Sequence, residues 1–506
     1  TPFIFIELSV ADAYITAEAI CKHPKRYTML FNSYTFLVFL GVVLISSRLI
    51  GSWKARKCFL LLASYLFYAA WNPPFVILLW ISTVADWIIA RKIHISAIQR
   101  TRILLLVASL SINLGMLGFF KYGTFLLDNF ISLMHLFNIT FNPAKPDIIL
   151  PVGISFYTFQ TLSYTIDIFR DRMKPWPSFL DYALYVTFFP QLVAGPIVRA
   201  VDFLPQCIEE KIGTARQISW GLTLFFLGLF NKMVIADSLM APIVERVFDA
   251  DALPGFFQSW AGSLAFSIQI FCDFAGYSSC AIGIALCLGF VLPTNFKYPY
   301  AAVGFSDFWS RWHISLSTWF RDYLYIGLGG NRRGTGRTFI NLMVTMGLCG
   351  LWHGASWLMV LFGILHGLYL VGERLVRQSF LASYDFWTTS YGRILLTLIT
   401  FGLFNLAWPL FRGKNFEHAV DLTMSMLGLH RVGFQSEMWL YPQQYATVLL
   451  CTIGILVIHY CLRNRSLEGV FSNIHWGYRG VFVAVITFLT LISFTGEDRA
   501  FIYFQF

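Results

Sequence analysis

The chain has 506 residues, 57% of them hydrophobic and only 13% charged, with a net charge of +10 and a mean hydropathy of +0.64. Soluble domains run at about 45–50% apolar and about 25% charged, so this composition excludes a soluble globular enzyme, a disordered chain, a coiled coil and a secreted disulfide scaffold. A polytopic membrane protein is expected, and the basic residues gather in short loops between apolar runs, where the positive-inside rule accounts for the excess without invoking nucleic acid.

Residues 1–28 are polar and mixed in charge, with no apolar run ending at a cleavage site. They read as an N-terminal extension rather than a signal peptide. Met29 opens the first membrane segment. Apolar segments follow at 31–50, 58–71, 74–90, 103–120, 122–138, 148–170, 180–197, 218–240, 255–272, 276–292, 338–353, 356–373, 393–411, 442–462 and 478–496. A crossing needs about 20 apolar residues, and several runs are shorter or broken, as at Trp71-Asn72-Pro73-Pro74. The expected fold is an all-α polytopic bundle of about 11–13 crossings, some tilted or re-entrant where protein or water covers the backbone. No internal repeat is evident, which weakens a transporter reading.

Lys54, Arg56 and Lys57 precede the second segment, and Arg91, Lys92, Arg100 and Arg102 follow the third. Two crossings separate these loops, so both face the cytoplasm. Arg463, Arg465 and Arg479 mark another cytoplasmic loop, and the last segment then carries the tail 497–506 to the outer face. The stretch 294–337 is too polar to span and too aromatic for a plain loop. It interleaves Lys297, Arg311, Arg321, Arg332, Arg333 and Arg337 with Trp309, Trp312, Trp319, Tyr323 and Tyr325. An amphipathic or re-entrant stretch on the cytoplasmic face fits this pattern; a solvated loop with snorkelling side chains is the plainer alternative.

Ionisable groups inside membrane segments are costly and point to function. His353, in Gly350-Leu351-Trp352-His353-Gly354, ends an apolar run, and its imidazole can exchange a proton near neutral pH; its flanking glycines would let a substrate approach closely. A core histidine bonded to a carbonyl is the competing reading. His313, in Arg311-Trp312-His313-Ile314-Ser315, could polarise a carbonyl, position a donor or cap a helix. His366 is expected to pack or hydrogen-bond, and Asp273, in Cys272-Asp273-Phe274-Ala275-Gly276, to form a structural ion pair. Gly329-Gly330-Asn331-Arg332-Arg333-Gly334 is a loose match to a phosphate-binding turn. The nine cysteines contain no CxxC and no Cys/His cluster, so they signal neither metal nor disulfide.

The segments Phe305-Ser306-Asp307-Phe308-Trp309-Ser310-Arg311-Trp312-His313-Ile314-Ser315, Arg321-Asp322-Tyr323-Leu324-Tyr325 and Gly329-Gly330-Asn331-Arg332 closely resemble the membrane-bound O-acyltransferase family. So do Pro151-Val152-Gly153-Ile154-Ser155-Phe156-Tyr157, Phe189-Pro190-Gln191-Leu192-Val193-Ala194-Gly195-Pro196 and Asp273-Phe274-Ala275-Gly276-Tyr277-Ser278. The nearest branch is the bacterial one that O-acetylates cell-envelope polysaccharides, and the likeness runs from about residue 29 to 506.

The resemblance implies a helical bundle around a transmembrane tunnel narrowest at His353, with His353 as the catalytic histidine and His313 as the second motif histidine. Trp312, Trp352, Asp273 and His366 would support them. Acetyl-CoA would enter from the cytoplasm, its phosphates met by Arg311, Arg321, Asn331, Arg332 and Arg333, with no permanent cofactor and no metal. The ending Phe501-Ile502-Tyr503-Phe504-Gln505-Phe506 matches the F-x-Y-x-x-F motif of related bacterial systems, whose tyrosine is proposed to carry the acyl group transiently. Tyr503 would then pass acetyl to a periplasmic SGNH or esterase-like partner, which modifies an extracytoplasmic polysaccharide such as alginate or peptidoglycan. The location implied is the bacterial inner membrane. Rival readings are a transporter with a His/Asp proton relay and a non-catalytic scaffold of a glycan-export complex.

Overall fold

A computed structural model describes residues 29–193, 195–429, 440–493, 499 and 501–502; the extension read at 1–28 lies outside them. No strand occurs among the described residues. A helix satisfies its own backbone groups in lipid, so an all-α architecture follows from the apolar composition. The helices are α1 (Tyr34–Leu49), α2 (Trp53–Ala69), α3 (Phe75–Ile95), α4 (Gln99–Leu136), α5 (Ile154–Phe169) and α6 (Phe179–Thr187). Next come α7 (Ala215–Phe248), α8 (Phe256–Cys287), and the short α9 (Phe305–Trp309) and α10 (Ile314–Trp319). The chain then forms α11 (Thr335–His353), α12 (Trp357–Gln378), α13 (Ser390–Asn405), α14 (Phe416–Met426), α15 (Pro442–Leu462) and α16 (Trp476–Ile492).

Six helices among the described residues are long and apolar enough to cross a membrane: Gln99–Leu136, Ala215–Phe248, Phe256–Cys287, Trp357–Gln378, Ser390–Arg412 and Pro442–Leu462. This is fewer than the crossings expected from sequence; α1, α2, α5 and α16 are shorter, α3 carries more charge and α11 is less apolar.

Two sequence breaks are not breaks. The runs 103–120 and 122–138 belong to one 38-residue helix, α4, and the runs on either side of Asp273 belong largely to the 32-residue α8. Each apparent gap is a charged residue turned inward to a partner, with no proline or turn to stop the helix. In contrast, the run 148–170 becomes helical only at Ile154, because Gly153 is held at φ +75° with the Leu192 carbonyl against it. A side chain there would be both strained and obstructed.

Side-chain bonds gather the basic loops at one end of the bundle. Arg48 donates to Gly213 O and Trp53 Nε1 to Cys207 O, each at 2.9 Å, and Lys57 pairs with Asp181 at 2.5 Å. Arg102 bonds Asp171 at 2.8 Å, Arg199 bonds Asp322 at 2.7 Å and Arg216 bonds Glu468 at 2.9 Å. The opposite end is marked by Trp357 Nε1 on Asn129 at 2.9 Å and Arg412 on Asp249 at 3.0 Å.

Glycines set the closest helix contacts. In the antiparallel pair α7 and α8, a Cβ at Gly228 would stand 2.4 Å from Gly276 O, and one at Gly283 would stand 2.3 Å from Gly221 O. Small residues let apolar helices approach where lipid provides no hydrophobic drive between them. The stretch 294–337 is not one amphipathic helix. It folds as short helices and turns that bury Phe305, Phe308, Trp312, Trp319, Phe320 and Tyr323 and leave Asn331, Arg332 and Arg333 exposed.

Candidate active site

The hairpin α11–α12 positions His353. Gly350 and Gly363 face each other so tightly that a Cβ on Gly350 would stand 2.1 Å from Met359 O. This glycine therefore serves helix packing, not the substrate approach expected of it. His353 is the last residue of α11, where carbonyls lack helical partners. Lys121 fills that need, donating to Trp352 O at 2.6 Å and His353 O at 3.3 Å, while Tyr122 OH donates to Leu351 O at 3.0 Å. A partly buried cation at a helix C-terminus is also favoured by the helix dipole. Ser356 caps the start of α12, accepting from Met359 N at 3.3 Å. His353 is only 4% exposed, with the rings of Phe411 and Phe362 centred 5.7 and 6.4 Å away.

His313 stands just before α10 with φ +42°, in the left-handed region that a non-glycine residue seldom occupies. Asn295 holds it there. The Ser315 backbone N–H and hydroxyl donate to Asn295 Oδ1 at 3.3 and 2.9 Å, and His313 Nδ1 lies 3.0 Å from the same atom. A backbone N–H can only donate, so the shared atom is oxygen and Nδ1 must carry a proton. The amide's other arm donates to Ser278 Oγ at 3.1 Å, consistent with that orientation. Nε2 of a neutral ring is thus left with its lone pair, and among the described residues it has no hydrogen-bond partner. Of the roles expected for His313, polarising a carbonyl needs a donor at Nε2 and does not suit this tautomer; accepting a proton or a donor's N–H does.

The two histidines meet across Trp352, whose ring is 5.9 Å from His313 and 5.1 Å from His353. Phe156 adds an edge 5.8 Å from Trp352, and Trp312 packs on Phe296 and Phe308 beside them at 5.2 and 5.6 Å. His366 sits among the rings of Phe362, Trp309, Tyr369 and Phe404, at 4.6 to 5.7 Å, and neither of its nitrogens is bonded among the described residues. It packs, as expected, without the hydrogen bond. A cavity of about 70 Å³ touches His353 from the side of Lys121, Gly153, Ser155 and Phe156.

Asp273 has the ion pair expected of it and a second contact the sequence did not foretell. Lys232 Nζ lies 2.5 Å from Asp273 Oδ1 and 2.9 Å from Asp237. Lys232 and Asp237 are brought together by the π-helical turns of Asn231–Met240, which put residues five apart on one side. The other Asp273 oxygen accepts the backbone N–H of Ile502 at 2.9 Å. Arg499 bonds Glu245 at 2.5 Å near the opposite end, and the tail then enters the bundle, with Phe501 fully buried 5.4 Å from Phe274 and 4.8 Å from Tyr277. Phe274 in turn sits 4.6 Å from His313. Tyr503 itself lies outside the described residues.

The expected phosphate ligands separate. Arg311 bonds Asp307 at 2.7 Å and the carbonyls of Lys297 and Arg463, each at 3.2 Å, so it is engaged within the protein. Arg321 pairs with Asp322 at 2.7 Å. Burial opposes charge on Asp322, yet hydrogen bonds from Arg321 and Arg199 hold its carboxyl below the usual carboxylate range. Asn331, Arg332 and Arg333 lie exposed on a turn fixed by Asn341 Nδ2 donating to Gly330 O at 2.9 Å. Among the described residues no group of His, Cys, Asp or Glu is arranged to hold a metal ion. Sequence reasoning missed Asn295, Lys121, Lys232 and Asp237; the charges inside apolar runs were the available signal for the two lysines and Asp237.

The structure is that of a multi-pass helical membrane protein with a buried histidine pair between the two ends of its bundle. The MBOAT, membrane-bound O-acyltransferase family profile matches residues 169–411. The chain is 34% identical to a "Peptidoglycan O-acetyltransferase" of Helicobacter pylori over 95% of its own length and 98% of that protein. It is 37% identical to a "Probable alginate O-acetylase AlgI" of Azotobacter vinelandii over 85% and 84%. A "Teichoic acid D-alanyltransferase" of Bacillus subtilis shares 27% identity over 53% and 70%. The chain belongs to the membrane-bound O-acyltransferase family. With that, the sequence reading of a membrane-bound O-acetyltransferase holds.

Proposed function

We propose that the chain moves an acetyl group from acetyl-CoA, bound at the basic end on the cytoplasmic side of the bacterial inner membrane, to a hydroxyl arriving from the extracytoplasmic side. The observation that carries this reading is the convergence at one cage. His353 and His313 share Trp352, a small cavity touches His353, and the C-terminal tail reaches Phe274 beside His313.

In the proposed chemistry the hydroxyl oxygen attacks the thioester carbonyl carbon, its proton passes to His353, the C–S bond breaks, and the proton moves on to the departing thiolate. A phenol with a reference pKa of about 10 is not ionised outright by an imidazole of about 6.5, so proton transfer accompanies attack. His313, accepting through Nε2, orients the donor. Tyr503 is the first acceptor in this scheme: two residues before it, Phe501 is anchored inside the bundle. Its acetyl ester then passes to a periplasmic SGNH or esterase-like partner acting on a polysaccharide, alginate or peptidoglycan by analogy with the relatives. Such a relay keeps the donor inside while the polymer stays outside.

His353→Ala in folded protein should abolish acetyl transfer from labelled acetyl-CoA; near-normal polymer acetylation refutes the assignment. An acetyl adduct on Tyr503, sought by intact-mass measurement with the partner withheld, should vanish in Tyr503→Phe. No adduct in the parent and full polymer acetylation by the variant would overturn the relay.

A further inference from the structure

A much larger cavity lies away from the histidines. At the basic end, about 640 Å³ opens between the end of α12, the start of α13 and the loop after α15, and Arg377, Arg393, Arg463 and Arg465 line it together with Asp307 and Tyr460. This volume falls within the roughly 300–1,000 Å³ typical of small-molecule sites. Acidic side chains offset only part of its charge. Asp307 is shared by Arg311 and Arg463 at 2.7 and 2.6 Å, and Arg377 is held by Glu373 at 2.6 Å. Arg393 and Arg465 have no carboxylate partner among the described residues, and both are exposed. Guanidinium groups gathered around one cavity repel one another unless an anion joins them, and their planar forks suit phosphate oxygens.

One short helix runs between the cavity and His366, whose neighbour Phe362 also packs on His353. Asp307 belongs to α9, and the same short helix puts Phe305 and Trp309 against His366, at 6.1 and 5.3 Å. Along α12, His366 and Arg377 are separated by about 16 Å of helical rise, a distance suited to a ligand with its charged end in the cavity and a thin arm directed toward the cage.

We infer that this arginine cavity binds a phosphate-bearing ligand. Two sources share that chemistry: the nucleotide end of the CoA thioester, an assignment that rests on the donor proposed above, and the head group of an anionic phospholipid of the adjoining leaflet.

The test uses the full chain in nanodiscs of neutral phosphatidylcholine, with coenzyme A titrated by calorimetry and phosphatidylglycerol retention read by native mass spectrometry. Arg393→Gln/Arg465→Gln is compared with the parent and with Arg393→Lys/Arg465→Lys, which keeps charge but loses the fork. If the nucleotide is the source, the glutamine variant binds coenzyme A at least tenfold more weakly, the lysine variant falls between, and lipid retention is unchanged. If the lipid is the source, phosphatidylglycerol retention falls and coenzyme A binding is unchanged; the phosphate site stands. Equal binding of both probes by the parent and the glutamine variant overturns the inference, as does absence of saturable binding of either probe to the parent. His353→Ala separates the two proposals: it should lose turnover and keep coenzyme A binding. Retained turnover in that variant would fault the catalytic assignment and leave the cavity's result unaffected.

Discussion

Replacing Asn295 by alanine removes the one oxygen to which His313 Nδ1, the Ser315 backbone N–H and the Ser315 hydroxyl all turn. His313 is fully buried, so water does not readily replace the lost acceptor. A buried donor left without its partner costs about 1–3 kcal/mol. That is also the scale of the preference that keeps the proton on Nδ1 and the lone pair on Nε2. Losing the preference in the reacting complex lowers kcat by roughly 5- to 150-fold, since each 1.36 kcal/mol is tenfold. The Ser315 donors add a stability loss of similar size. Asn295→Asp keeps an acceptor facing Nδ1 and should recover part of the rate. The assay is single-turnover transfer from labelled acetyl-CoA, with thermal melting of the solubilised protein as the check on folding. A folded Asn295→Ala variant whose rate lies within twofold of the parent would refute the claim that this amide sets the tautomer of His313.

Lys232→Met leaves Asp237 and Asp273 facing one another without their cation, a change that costs about 3–5 kcal/mol for a buried pair; adding Asp273→Asn should restore much of the melting temperature, and a single variant that melts like the parent would sink the ion-pair reading. Gly228→Ala drives a Cβ to within 2.4 Å of the Gly276 carbonyl and should cost about 1–3 kcal/mol, whereas Gly118→Ala, with open space around it, should gain up to about 1 kcal/mol; melting of the two variants in the same direction contradicts the packing argument. Arg199→Gln removes a partner of Asp322, whose folded pKa is held below its unfolded value near 3.9. Stability from that pairing is present above the unfolded pKa and fades as pH falls through the folded one, so the variant's melting deficit at pH 7 should shrink below about pH 4, and a deficit that grows with acidity would be inconsistent.

Composition and motif residues carried the membrane class, the helical architecture, the family resemblance and both candidate histidines, because long apolar runs and short motifs are local properties of a chain. Gly350 and Gly354 marked His353 as unusual, but the role read into Gly350 was wrong: the sequence could not reveal that the Met359 carbonyl lies against it. Lys121 and Asp273 looked like interruptions for a related reason. A charge inside an apolar run advertises its solvation cost, and the sequence is silent about the partner that offsets it. Lys121 finds carbonyls 231 and 232 positions away, and Asp273 finds the tail 229 positions away. Asn295 was not legible at all, since a single amide in a turn has no pattern until His313 and Ser315 fold onto its oxygen. The arginine cavity is likewise assembled from four separate segments. Periodicity and motif spacing report which groups a stretch of chain prefers to bury; only packing decides which donor meets which acceptor, because hydrogen bonds and ion pairs depend on ångström distances between residues far apart in sequence.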